Sequence, residues 1–260
     1  MPHGLTLGAI AITAALTPAM PGIRTGQHLR AYAPRNLRWH GGPVQRHPRV
    51  YIIFWGPKWS TDPAHRGVRG VVVRTIAALR GSSYQQLLTQ YYDRAGHVTG
   101  DVRLAGVWRD RRVPRGHFTA GKHDVARAAR EIAHVAAVRR LPNSLDTQYL
   151  LLVQSSEPTG YCGDDVNREL GGRPLIFSII PWLGPRGAGC TTGNSLGEGY
   201  GSTVSHEYAE MVTDPLANGW ARGNPAGHNY EIADLCNADA RVDGVWMQKV
   251  WSNRLHRCAA

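Results

Sequence analysis

Three short apolar runs constrain the fold of this sequence more than any other feature. They are Val50–Trp55, Tyr149–Val153 and Leu175–Ile180. Each run is bounded by proline, glycine or polar residues and is too short for an ordinary helix, a pattern typical of a buried strand. A fourth segment, Asp101–Arg109, alternates in polarity as a half-buried strand does. The sequence therefore predicts strands at these four places.

Segments with helical periodicity alternate with the predicted strands. The apolar residues of Tyr84–Tyr91 fall at positions i, i+3, i+4 and i+7, and a second apolar stripe runs through Val125–Ala136. The segment Val68–Leu79 is compatible with either a helix or a strand. We expect an α/β or α+β fold, in which helices pack on a mixed sheet within a single domain.

A further helix is predicted near the C-terminal third of the chain. It follows a loop rich in glycine, serine and threonine at Gly184–Gly201. Ser202 is the candidate N-cap, and the helix runs from about Thr203 to about Val212 because Pro215 prevents its continuation.

The N-terminus has the composition of an export signal. Leu5–Met20 is apolar and carries no charge, which predicts a secretory signal peptide at residues 1–22; the alternative is a buried strand or helix of the fold. Residues 23–48 are rich in arginine, histidine, glycine and proline and form a predicted extended lead-in to a domain at 49–260. No later run reaches the roughly 18 apolar residues of a membrane span, so we expect a secreted, extracellular protein.

The four cysteines fit an exported protein. None belongs to a Cys-x-x-Cys pair, so the pattern favours two disulfides over a zinc ribbon. Three pairings are possible, and we select the sequence-local one, Cys162 with Cys190 and Cys236 with Cys258. Each bond closes a short loop and would stabilise the fold by about 3 kcal/mol.

The net charge of +11 raises the question of a polyanionic partner. The arginines are spread along the whole chain, no run of five basic residues occurs, and no motif of a nucleic-acid module is present. We therefore expect no nucleic-acid partner. Binding to anionic cell-wall polymers stays open, and a monomer is the expected state.

One group of histidine and acidic residues carries the chemistry of the sequence. On a helix, residues i and i+4 share one face about 6 Å apart along the axis, so His206 and Glu210 are placed to bind one metal ion. Glu231 is the candidate third ligand, and Asp234 is the candidate hydrogen-bond partner for the outer nitrogen of His206. Glu207, beside the first ligand, is the predicted general base.

The segment from His206 to Asp214 is similar to the helix of the thermolysin-like, glutamate-zincin peptidases, which carry His-Glu-x-x-His. Glu210 stands where that family has its second histidine. The resemblance implies a zincin-like domain that binds Zn²⁺ or another divalent metal and takes a downstream glutamate as third ligand. The predicted site comprises His206, Glu210 and Glu231 as metal ligands, Glu207, His228 and Tyr230 as catalytic residues, and Asp234 and Asp214 as residues that orient the ligands.

A second resemblance covers residues 38 to 258. The motifs HGGPV at 40–44, VYIIFWGP at 50–57, SHEYAE at 205–210 and EIADLC at 231–236 resemble the phosphate-induced, Exordium-like family. This resemblance implies export and a single domain, and in plants a link to the cell wall and to growth. It implies no defined biochemical activity.

Two functional hypotheses follow from these observations. The first is a secreted zinc-dependent hydrolase, a metallopeptidase acting on a peptide or protein substrate through the His-Glu-x-x-Glu helix. The second is a non-enzymatic extracellular protein, for binding, signalling or cell-wall association, whose metal site is structural or degenerate.

Overall fold

A computed structural model of the protein describes residues 36–115, 118, 122–154, 162–184, 190, 195–223 and 229–260. Within these ranges the chain forms five helices and fourteen strands. The helices are α1 (Lys58–Thr61), α2 (Pro63–Ala78), α3 (Ser83–Leu88), α4 (Lys122–Arg139) and α5 (Leu196–Thr213). The strands are β1 (Arg38–Trp39), β2 (Arg49–Trp55), β3 (Tyr92–Asp93), β4 (Gly96–His97), β5 (Arg103–Asp110), β6 (Thr147–Val153), β7 (Asp164–Leu170), β8 (Arg173–Ile180), β9 (Trp220–Gly223), β10 (Asn229–Tyr230), β11 (Asp239–Val242), β12 (Val245–Gln248), β13 (Val250–Ser252) and β14 (Arg257–Ala259).

The three apolar runs form the centre of a five-stranded sheet with the order β5-β2-β6-β8-β7. Strands β5, β2, β6 and β8 run parallel, and β7 pairs antiparallel with β8 at one edge. The four predicted strands are confirmed. Sequence periodicity does not indicate β7, because this edge strand reads DDVNREL and has no apolar run.

Side chains alternate between the two faces of the sheet and build two cores. On β2, Ile52 and Phe54 face the core to which α2, α3 and α5 contribute, whereas Tyr51 and Ile53 face the core lined by α4. The predicted fold class, a mixed α/β arrangement in a single domain, is therefore confirmed. The ambiguous segment Val68–Leu79 is part of helix α2 up to Ala78.

Helix α5 is longer than predicted and begins at Leu196, so the predicted loop is wrong over residues 196–201 and the predicted Ser202 N-cap is wrong. Ser195 caps the helix instead: its hydroxyl accepts the backbone N–H of Glu198, whose carboxylate accepts the N–H of Ser195. Glycine in this helix has a packing reason. A Cβ on Gly201 would lie 2.3 Å from the carbonyl oxygen of Trp246, so the helix approaches β12 backbone to backbone.

Part of the predicted lead-in packs within the folded unit. Leu37 and Val44 are buried, and β1 pairs with β9. Described residues that precede position 49 are therefore part of the packed structure. The predicted signal peptide at 1–22 lies outside the described residues. Among the residues that are described, no helix combines the length and the apolar character that a membrane span requires.

The predicted disulfide pairing is confirmed. Cys162 bonds Cys190, and Cys236 bonds Cys258, with Cα–Cα distances of 5.5 and 5.7 Å. The first bond lies directly before β7, and the second joins the segment after β10 to β14. Both disulfides therefore fix chain segments that also carry acidic residues of the site described below.

A buried carboxyl on α4 makes the stability of the domain depend on pH. Glu131 is 6% exposed and contacts the guanidinium of Arg112 at 2.9 Å, close to Asp110. Burial and the neighbouring Asp110 raise the pKa of Glu131 from 4.5 to about 7, although Arg112 opposes the shift. The folded state thus keeps a proton that the unfolded chain loses, and this stabilisation is present below pH 4.5 and lost as pH rises through 7.

We expect Glu131→Gln to remove this pH dependence. Between pH 5 and pH 8, the free energy of unfolding of the unaltered protein should fall by up to about 3 kcal/mol more than that of the variant. Urea denaturation at each pH measures the difference, with Glu169→Gln, at an exposed position of β7, as the control. Identical pH slopes for the unaltered protein and Glu131→Gln would contradict the prediction.

Candidate metal centre

Helix α5 places His206 and Glu210 on one face, one turn apart. The Nε2 atom of His206 lies 3.0 Å from a carboxylate oxygen of Glu210. The Glu210 side chain is 4% exposed, whereas His206 is 22% exposed and is reached by solvent. Two tyrosine hydroxyls link α5 to α3. Tyr84 of α3 donates to the backbone carbonyl of Ser205 on α5, and Tyr208 of α5 donates to the side-chain oxygen of Gln85 on α3.

Gln248 of β12 fixes the orientation of the His206 ring. Its Nε2 donates to the carbonyl oxygens of Ala233 and Cys236, at 3.0 and 2.7 Å, so its Oε1 must be the atom that faces His206. This oxygen lies 3.0 Å from Nδ1 of His206 and accepts its proton. The neutral imidazole therefore has its lone pair on Nε2, which is the nitrogen beside Glu210.

Asp234 takes a different place from the predicted one. Its carboxylate lies 3.7 Å from Nε2 of His206, on the side of Glu210, while Gln248 occupies the outer nitrogen. The other oxygen of Asp234 accepts the backbone N–H of Glu231 at 3.1 Å, which closes the turn after β10. Asp234 is thus a potential ligand rather than the residue that orients His206.

Glu231 lies close to Glu210 and to Asp165, a residue that the sequence analysis did not single out. Ligand atoms of Asp165, Glu210 and Glu231 lie within 4.8 Å of one another, as do those of His206, Glu210 and Asp234. Asp165 lies on β7 opposite Ser178, a position that faces α5. The structure therefore brings all three predicted ligands into one cluster, but in two triads that share Glu210. The first triad is His206, Glu210 and Asp234, and the second triad is Asp165, Glu210 and Glu231.

Asp214 ends helix α5 and contacts the second triad. One of its carboxylate oxygens accepts the backbone N–H of Gly219 at 2.5 Å. Burial, Asp165 and Glu210 raise the pKa of Glu231, and Asp214 raises it further, so Asp214 lies near this candidate ligand. This position suits a residue that orients Glu231.

Glu207 lies between α5 and the start of β7. It is 3% exposed, and a Cβ on Gly163 would lie only 2.3 Å from one of its carboxylate oxygens. Its other oxygen is buried and has no hydrogen-bond partner in the described part of the chain. The carboxylate is thus held by close packing on one side and is free to take a proton on the other.

Burial and mutual repulsion govern the charges of the cluster. Burial raises the pKa of Glu207, Glu231 and Asp165 well above the usual range, and nearby carboxylates raise it further. Burial alone would lower the pKa of His206, but Glu210 and the other acids around it hold the pKa well above its ordinary value. Such a cluster attracts protons or a cation, because its charges oppose one another in a medium of low dielectric.

The residues fit a divalent metal ion. Glu210 keeps one buried oxygen, Oε1, without a hydrogen-bond partner among the described residues, and its other oxygen, Oε2, lies 3.0 Å from Nε2 of His206. One imidazole nitrogen together with carboxylate oxygens is a ligand set that suits Zn²⁺ and also accepts harder ions such as Mn²⁺.

Two of the predicted catalytic residues gain no role from the structure. Tyr230 lies on β10, half-buried, and no hydrogen bond from its hydroxyl to the acidic cluster occurs among the described residues. His228 falls outside the described residues. The residues that sequence reasoning missed are Asp165, Gln248 and Gly163, of which only Asp165 had a signal, the pair of acids directly after Cys162-Gly163.

Gln248 offers a test of this geometry. We expect Gln248→Leu to raise the dissociation constant for Zn²⁺ by about 10–100-fold, because His206 loses the partner that fixes its ring and tautomer. Isothermal titration calorimetry on the metal-stripped protein measures the change. Gln90→Leu is the matched control, since that amide bonds Leu87 and Ser252 outside the site. Equal affinities for Gln248→Leu and the control would contradict the assigned role.

No protein-family model matches the chain. It is similar to Protein EXORDIUM-like 5 of Arabidopsis thaliana, with 25% identity over 236 residues, covering 77% of this chain and 64% of that protein. Protein EXORDIUM-like 3 of the same plant is also 25% identical over 236 residues, covering 77% of this chain and 68% of that protein. The chain thus spans somewhat less than two thirds of the first relative, and the similarity agrees with the distant resemblance that the sequence motifs indicated.

Proposed function

We propose that this protein is a secreted, metal-dependent hydrolase with a zincin-like site on helix α5, with Zn²⁺ as the metal and a peptide as the substrate. The observation that carries the proposal is the pairing of His206 with Glu210. Nε2 of His206 lies 3.0 Å from Oε2 of Glu210, whose other oxygen, Oε1, is buried and has no hydrogen-bond partner among the described residues, and the candidate base Glu207 follows His206 on the same helix.

Each residue of the site has a distinct role in the proposed hydrolysis. His206 and Glu210 would hold the metal, together with carboxylates of the two triads. A bound divalent cation supplies Lewis acidity, which polarises a carbonyl group and lowers the pKa of water. Glu207 accepts the proton of the attacking water and passes it to the leaving amine.

Export is supported by the cysteines as well as by the predicted signal peptide. All four cysteines form disulfides, which persist in oxidising compartments and are rare in the cytosol. An extracellular site would meet peptides of the cell surface or the wall.

The test is hydrolysis by the purified protein in defined metal states. Metal-stripped protein, and the same protein reloaded with Zn²⁺ or Mn²⁺, is incubated with peptide and ester libraries and the products are identified by mass spectrometry. We expect cleavage only after reloading. Tight Zn²⁺ binding without cleavage of any substrate would contradict the enzymatic proposal and favour a structural metal.

A second candidate function, adhesion to an anionic polymer, is favoured by an arginine groove. Arg66, Arg69 and Arg109 line a surface groove of about 470 Å³ between α2 and the edge strand β5. Arg66 and Arg69 donate to the backbone carbonyls of Thr61 and Trp59, which holds them in place. None of the three forms an ion pair within the described part of the chain, so their charge is available to a polyanion such as a uronic-acid polymer.

Charge reversal tests this second function. The triple variant Arg66→Glu, Arg69→Glu and Arg109→Glu should lose binding to polygalacturonate, and binding of the unaltered protein should vanish above about 0.5 M salt. The control reverses three other exposed arginines, Arg94, Arg140 and Arg254. Equal losses of binding in both triple variants would show that net charge alone causes the binding and that the groove has no specific role.

A further inference from the structure

We propose that helix α5 carries a dinuclear metal centre in which Glu210 bridges two divalent ions, one bound by His206 and Asp234 and the other by Asp165 and Glu231. The inference rests on the metal site proposed above and deepens it. A single-ion site with His206, Glu210 and Glu231 as ligands, which the sequence alone predicts, would leave Asp165 and Asp234 without a function.

The two triads overlap at one residue and do not merge. Each set of ligand atoms lies within 4.8 Å, and Glu210 belongs to both. Among the described residues, His206 and Asp234 do not join Asp165 and Glu231 in one such set. Two ligands of one ion, at bond lengths of about 2.0–2.2 Å, lie no more than about 4.4 Å apart. The arrangement therefore suits two neighbouring ions better than one.

Glu210 has two carboxylate oxygens in different surroundings, as a bridge between two ions needs. Its oxygen Oε2 faces Nε2 of His206 at 3.0 Å, and its oxygen Oε1 is buried without a hydrogen-bond partner in the described residues. A carboxylate that belongs to both triads is able to bind one ion through each of its oxygens. In known two-metal sites the ions lie about 3.5–4 Å apart, a spacing that such a bridge allows.

The charge of the cluster points to the same number of ions. The two triads contain four carboxylates, those of Asp165, Glu210, Glu231 and Asp234. No lysine or arginine forms an ion pair with any of them in the part of the chain that the structure describes. Two divalent ions carry four positive charges and would compensate all four carboxylates of the triads, whereas a single ion would compensate only two of them.

The competing arrangement is one ion at His206 with a protonated second triad. In that case Asp165 would contribute nothing to metal binding. The stoichiometry of the intact protein and the behaviour of an Asp165 variant distinguish the two arrangements.

The experiment counts ions on the full chain. Metal-stripped protein is titrated with Zn²⁺ by calorimetry and analysed for zinc after gel filtration, and Mn²⁺-loaded protein is examined by electron paramagnetic resonance. We expect two Zn²⁺ per chain and a Mn²⁺ spectrum broadened by coupling between neighbouring ions. Asp165→Asn and His206→Ala should each bind one ion and lose the coupling, and Glu210→Gln should weaken both sites at least 10-fold.

Asp164→Asn is the matched control. Asp164 precedes Asp165 on β7, belongs to neither triad, and pairs with Ile179 on the opposite face of the sheet. This variant should retain two ions. One Zn²⁺ per chain in the unaltered protein, or an unchanged stoichiometry in Asp165→Asn, would overturn the inference.

The inference and the proposed hydrolase fail in different ways. Two coupled ions without hydrolysis would leave the dinuclear centre standing and remove the enzymatic proposal. Hydrolysis with a single ion would do the reverse.

Discussion

Replacing Glu207 with glutamine should lower kcat for peptide hydrolysis by a factor of about 10²–10⁴ while leaving the metal content unchanged. Glutamine has the shape of glutamate but cannot accept the proton of the attacking water. Glu207 belongs to neither ligand triad, so the variant should bind Zn²⁺ as the unaltered protein does. Steady-state kinetics together with elemental analysis of the same sample measures both quantities.

Glu198→Gln is the control for this prediction. Glu198 lies on the same helix and belongs to neither triad, and a glutamine there keeps one of the two oxygens that accept the N–H of Ser195 and the indole N–H of Trp246. This variant should retain activity. Full activity of Glu207→Gln would remove Glu207 from the mechanism, and loss of metal would show that it acts as a ligand instead.

Gly163→Ala should reduce kcat about 100-fold although residue 163 carries no chemical group. The added Cβ would lie 2.3 Å from Oε1 of Glu207 and 2.8 Å from its Cδ, so the carboxylate must move. Because Glu207 is 3% exposed, it has little room to do so without disturbing its neighbours. A displacement of about 1 Å in a catalytic group is enough to cause a loss of this size.

The matched control is Gly67→Ala, in the exposed part of α2, where a Cβ would meet nothing within 4 Å. Alanine there should raise stability by about 0.5–1 kcal/mol, as it does in a helix interior, without affecting kcat. Thermal denaturation and kinetics of both variants separate loss of fold from loss of alignment. Unaltered kcat in Gly163→Ala would mean that Glu207 tolerates displacement and that its packing is unimportant.

The sequence predicts the centre of the fold well because the central strands are buried on both faces. Such strands appear as uninterrupted apolar runs, and the stripe of α4 follows helical periodicity equally clearly. The edge strand β7 has no such pattern, because the polar side chains of an edge strand are accommodated by solvent. The sequence predicts too short a helix α5 because the first turns of this helix contain Gly197, Gly199 and Gly201, and glycines ordinarily indicate a loop.

The candidate site, like the fold, is predictable from the sequence only in part. The spacing of His206 and Glu210 is local, so helical geometry alone predicts that they share one face. Asp165 comes close to Glu210 only because of the sheet order, in which β7 pairs antiparallel with β8 and so lies beside α5. Gln248 depends on how closely β12 approaches α5 at Gly201. Contacts of this kind arise from tertiary packing, and no spacing in a single sequence encodes them.

The two disulfides would couple maturation of the protein to the assembly of the proposed metal centre. Cys162 anchors the start of the strand that carries Asp165, and Cys236 anchors the turn that carries Glu231 and Asp234. With free thiols, these two segments lose the covalent links that hold them beside α5. A chain still in a reducing compartment would therefore bind metal weakly, and the centre would form only after oxidative folding.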